Sequence, residues 1–241
     1  MSAWSSIGLR RAILFVLISY SVAYAAEWSS TRVGIPFGAY AYTEDTRGEE
    51  LFLANVPVMD TLSFTFLSYV SYTLALFFGR RDRREMPWIR EEALDRRTSV
   101  QALLLGTIFF VLIDVVIDPL AVRGDRWFLG KIFGYRYPGV YFGVPISNFA
   151  GWGVVGAVTI FLYQRADQWL GASEGKNPSF PRGDVRDFLG PGLYLCVLLF
   201  NLSVTFWIGE PLLGLAGVLI FSPVAVFSLR RCLSNHLKML L

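Results

Sequence analysis

"VQALLLGTIFFVLIDVVIDPL", residues 100–120, is long and apolar enough to cross a bilayer as one helix, yet it carries two carboxylates, Asp114 and Asp118. A hydrocarbon core needs about 20 mostly apolar residues in helical form. Working outward, five further segments match this length: 9–26, 56–78, 142–164, 188–208 and 211–230, beside 99–120 itself. The chain has 241 residues, 54% of them hydrophobic and 17% charged, with mean hydropathy +0.47. An ordinary soluble domain carries charge on about a quarter of its residues. The fold class expected is therefore all-α: a polytopic membrane helix bundle of about six transmembrane helices, forming a single integral membrane domain over residues 1–241. Membrane strands would show as alternating segments of about ten residues, and these are missing. Glycine and alanine in "GWGVVGAV" and "GLAG" suit close helix contact in lipid.

The first segment has a rival reading. "LRRAILFVLISYSVAYAA" has the basic start, short apolar core and small-residue "AYA" of a cleaved signal peptide. Retained, it gives six helices with both termini on one side; cleaved, it leaves five. Net charge +3 and a pI near 8.9 have a topological explanation rather than a nucleic-acid one. With six helices, 16 of the 22 basic residues fall on one side, including seven arginines in "RRDRREMPWIREEALDRR". Cytoplasmic loops hold such an excess. The expectation is a multi-pass protein of the cell (inner) membrane with cytoplasmic termini. Cys196 and Cys232 form no CxxC pair, and the single histidine, His236, lies in a polar tail, so no disulfide, zinc or other metal site is expected.

This topology gathers the unusual polar groups on the side with few arginines. Asp114 and Asp118 lie in the outward half of the third helix and Asn148 just inside the fourth. Four residues apart, the two aspartates share a helix face about 6 Å apart along the axis. Intramembrane ionisable residues mark functional sites. Two carboxyls in one dry pocket suit a division into one acid and one base. Alternatively, Asp118 ends the helix beside Pro119 while Asp114 pairs with Arg123 or Arg126. The deeper Asp114 is the expected acid, with Asp118 and Asn148 holding water.

Around these catalytic candidates stand residues able to shape a substrate pocket. "GIPFGAYAYTED" carries Tyr40, Tyr42, Thr43, Glu44 and Asp45. It is too irregular for a membrane helix and too apolar for an ordinary loop, as a re-entrant or cavity-lining segment would be. Asp60 follows on the same side, and "VYFGVPISNFAGW" adds Tyr141 and Trp152. Aromatic faces stabilise cations; tyrosine and tryptophan are also common at membrane interfaces. Glu44 has the alternative of an ordinary exposed loop acid. No GxGxxG, Walker, HExxH or GxSxG motif occurs, so no nucleotide cofactor is expected.

"GIPFGAYAYT", then "VP" heading the second helix, "DxxxDP" and "YxGVPxxNFxGW" together resemble the membrane carotenoid-biosynthesis family that includes the CruF-type carotenoid hydratases. The resemblance spans roughly residues 30 to 165; the last third matches in hydropathy alone. It implies addition of water across the terminal C1–C2 double bond of an acyclic carotenoid drawn from the lipid phase, without cofactor. It leaves room for association with other carotenoid enzymes. Protonating the alkene needs a desolvated acid, and a carboxylate can activate the water that captures the cation. An end-group cyclase would use the same acid but exclude water. A prenyltransferase would need paired Asp clusters for magnesium and diphosphate. A transporter or scaffold would use the aspartates for proton coupling or packing.

Overall fold

The computed structural model describes residues 8–43, 47–48, 50–79, 97–127, 130–174 and 186–240. Six helices dominate it: α1 Leu9–Val33, α2 Val58–Phe78, α3 Val100–Ala121, α4 Ile146–Glu174, α5 Arg186–Trp207 and α6 Pro211–Leu240. All six are long and apolar enough to span a membrane. The protein is a multi-pass membrane bundle.

Several helix boundaries differ from the hydropathy reading, α4 and α6 running on to Glu174 and Leu240, and two of the differences have a clear local reason. α1 runs unbroken through "AYA" to Val33 because its buried stripe stays in phase beyond the apolar run: Arg11, Phe15, Ser19, Ala23, Glu27 and Ser30. It stops at Gly34, whose φ of 77° is the left-handed conformation that favours glycine. α4 starts at Ile146 rather than near 142, because residues 139–144 close on themselves. Tyr141 and Val144 pair there, as do Gly139 and Gly143.

Four short strands cap one end of the bundle, an element the hydropathy reading did not foresee. They are β1 Tyr40–Tyr42, β2 Phe52–Leu53, β3 Val56–Pro57 and β4 Phe133–Tyr135. β1 runs antiparallel to β4 with Tyr40 opposite Tyr135, and β2 pairs with β3. The irregular segment after α1 thus satisfies its backbone groups by pairing.

α3 is central, packing against α2, α4, α5 and α6, while α1 closes the bundle against α2 and α4. Close approach depends on missing side chains. A Cβ on Gly156 would lie 2.7 Å from the Phe110 ring, and one on Gly151 would lie 2.6 Å from Phe37. Between them Trp152 stacks on Phe64 at 4.3 Å and tilts against Phe110 at 4.5 Å.

The other end is tied by charge. Arg11 donates to the buried Asp167 at 2.6 Å, and Arg97 pairs with the same carboxylate at 3.4 Å. These groups sit at the start of α1, before α3 and near the end of α4. Asp60, Asp118 and Asn148 occupy the opposite helix ends.

Candidate active site

Helical periodicity brings Asp114 and Asp118 to one buried face of α3, and the first turn of α4 sets Asn148 against both. The Asn148 Nδ2 donates to Asp114 Oδ2 at 2.8 Å and to Asp118 Oδ2 at 2.7 Å. An amide nitrogen has two protons to give, so each carboxyl receives one. The two carboxyls also lie close enough to share a hydrogen bond once either is protonated. Tyr135 in β4 donates to Asp118 Oδ2 at 3.2 Å. Asp114 is fully buried, and its Oδ1 finds no donor among the described residues.

The alternative pairing with arginine does not occur. Arg123 and Arg126 turn instead to Glu210, at 3.1 and 2.8 Å. Asp118 does not end the helix either, since its carbonyl still accepts from Val122 at 3.0 Å. The donors that the hydrogen bonds show for the aspartates are an amide and a phenol, not a cation.

A second carboxyl cluster stands beside the first. Tyr42 Oη lies 2.7 Å from Glu27 Oε1 and 2.6 Å from Asp60 Oδ2. Thr61 donates to Glu27 Oε2 at 2.5 Å, and the Tyr40 hydroxyl lies 3.3 Å from that of Tyr42. Glu27 is 0% exposed. Burial pushes the Tyr40, Tyr42 and Tyr135 phenols up from their ordinary value, and the nearby carboxylates push in the same direction. All three therefore keep their protons.

Between these clusters opens a cavity of about 650 Å³. Asp60, Asp118, Asn148, Tyr40, Tyr135 and Trp152 reach its surface, among rings including Phe37, Phe64 and Phe133. Asp114 and Glu27 lie one layer behind the lining. Glu50 also borders the space, and Met59, Phe66 and Phe200 extend the lining to exposed faces of α2 and α5.

The structure therefore gathers most of the residues expected from sequence, but not all. Tyr42 stands behind the wall as the bridge to Asp60. Thr43 lies outside the lining, because its hydroxyl bonds the Lys131 and Ile132 carbonyls and fastens β1 to the segment leading into β4. Tyr141 also lies outside: its ring packs edge-on against Phe142 and Phe149. Glu44 and Asp45 fall outside the described residues. Glu27 and Tyr135 are additions. Glu27 could have been found by continuing the four-residue stripe of α1 past Ala23; no local signal marks Tyr135, which reaches Asp118 through strand pairing.

Chemically, the site places carboxyls beside an aromatic-walled space. A carboxyl that carries a proton there can deliver it to an apolar molecule, and the rings can shelter the resulting cation.

Comparison with known proteins adds an independent finding. Residues 1–222 match the family described as "Carotenoid biosynthesis protein", well beyond the span of the sequence motifs. The bisanhydrobacterioruberin hydratase of Haloarcula japonica is 29% identical over 214 residues, which cover 86% of this chain and 62% of that protein. The chain thus spans less than two thirds of that curated relative's length. No solved structure matches.

Proposed function

We propose, from the premise that this chain belongs to the carotenoid biosynthesis protein family, that it is a hydratase. It adds water across the terminal C1–C2 double bond of an acyclic carotenoid end group. The observation that carries this reading is Asp118: a carboxyl held by Asn148 and Tyr135 that faces an aromatic cavity of about 650 Å³. A relative named for hydration supports the reaction class.

Asp118 gives its proton to C2, leaving a tertiary cation at C1. Trp152, Phe64 and the β-strand tyrosines shelter that charge. Water then bonds to C1 and loses a proton, giving a tertiary alcohol. We assign delivery to Asp118 rather than to the deeper Asp114, because Asp118 lines the cavity and Asp114 does not. Asp114, the more deeply buried of the pair, stores the proton and passes it to Asp118, which delivers it to the cavity. The polyene tail lies toward lipid past Met59, Phe66 and Phe200, all of them both lining and exposed.

The test is expression of the full chain in a lycopene-producing host with mass measurement of the pigments. A gain of one water is the expected result. Unchanged mass with altered absorption would replace hydration by cyclisation, and unchanged pigment would remove the enzymatic reading.

A further inference from the structure

We propose that Asp60, positioned by Glu27 and Tyr42, is the base that takes the proton from the attacking water. This rests on the hydratase reading and adds the second half of its proton chemistry. Hydration has two proton tasks on neighbouring atoms: carbon gains one, and water loses one. Asp118 serves the first from α3. Asp60 reaches the same cavity from α2, a different wall, so the two tasks need not fall on one carboxyl.

Counting protons supports the assignment. Tyr42 has one O–H, yet its oxygen lies within hydrogen-bond distance of two carboxyls, at 2.7 and 2.6 Å. A hydroxyl donates once. One of the two contacts must therefore be donated by a carboxyl that carries its own proton. Glu27 is fully buried, whereas Asp60 is half-buried and opens on the cavity. An isolated buried charge is the costlier of the two, so the proton resides on Glu27. Glu27 then donates to Tyr42, and Tyr42 donates to the Asp60 carboxylate. Asp60 is left anionic, oriented and facing the space where water must stand.

The cycle balances. Asp118 loses a proton to C2, the water oxygen bonds to C1, and the water proton passes to Asp60. Transfer from Asp60 back to Asp118 through cavity water restores both groups. The net change is alkene plus water to alcohol, with no oxidant or reductant consumed.

Heavy water separates the two halves. Membranes holding the full chain are given lycopene in heavy water, with the amount of folded, inserted protein matched between variants. The wild type yields hydrate labelled on carbon. Asp60→Asn lowers hydrate by about 10²–10⁴-fold, while recovered lycopene still gains deuterium at its ends, because Asp118 protonates and the uncaptured cation returns a proton. Asp118→Asn loses both signals. Tyr42→Phe, which removes only the bridging hydroxyl, lowers hydrate with exchange retained, and so does Glu27→Leu. Glu27→Gln, whose amide still donates to Tyr42 as the protonated carboxyl does, keeps hydrate output. Wild-type hydrate output from Asp60→Asn, or loss of exchange and hydrate together in inserted Asp60→Asn, overturns the proposal while leaving hydration standing. A wild type that makes no hydrate overturns hydration itself, and this proposal with it.

Discussion

Asn148 holds two carboxyls with one amide nitrogen, 1% exposed, so its removal takes from Asp114 its amide donor and leaves Asp118 that of Tyr135. A buried acceptor without a donor costs about 1–3 kcal/mol. Asn148→Leu, close in volume but without donors, should lower stability by about that amount, read as earlier thermal unfolding of the detergent-purified protein. An unchanged transition would mean the amide does not carry these carboxyls. At this scale much was legible. A four-residue spacing placed Asp114 and Asp118 on one face, and an amide among small and aromatic neighbours singled out Asn148. Our proposal assigns proton delivery to Asp118 where the sequence pointed to Asp114, because depth along a helix does not say which carboxyl lines a cavity. Glu27 was missed for a related reason. A charge after an apolar run reads as a helix stop, whereas here it continues a buried stripe and finds Thr61 and Tyr42 as partners.

At the scale of elements, the seam between α3 and α4 positions the site, since it joins the aspartates to Asn148. Gly156 lets that seam close; a side chain there would meet Phe110. Gly156→Leu should cost about 1–3 kcal/mol by overpacking and lower hydration with it. Gly153→Leu, at a glycine whose nearest neighbour is at ordinary contact distance, should do much less. Equal unfolding temperatures for the two variants would contradict the account. Helices were readable because a bilayer demands apolar length of each one separately. The strands were not: β1 and β4 are three residues each, too short for alternation to show, and they pair across α2 and α3 in the chain. The fastening role of Thr43 and the outward position of Tyr141 follow from those same short local folds.

Over the whole molecule, the two ends of the bundle are chemically distinct. Arg11 and Arg97 clamp Asp167 at one end, where ion pairs fix α1, α3 and α4. At the other end the carboxyls beside the aromatic space take phenol, hydroxyl and amide donors, while Arg123 and Arg126 pair with Glu210 outside the cavity lining. The central claim is that this cavity adds water by proton delivery from Asp118. The most direct measurement is the origin of the new oxygen, made in lycopene-containing membranes supplied with oxygen-18 water. The account predicts a pigment whose hydroxyl carries the heavy oxygen, and no hydroxylated pigment from Asp118→Asn at equal protein levels. A hydroxyl drawn from molecular oxygen, or a hydrate still formed by Asp118→Asn, would contradict it.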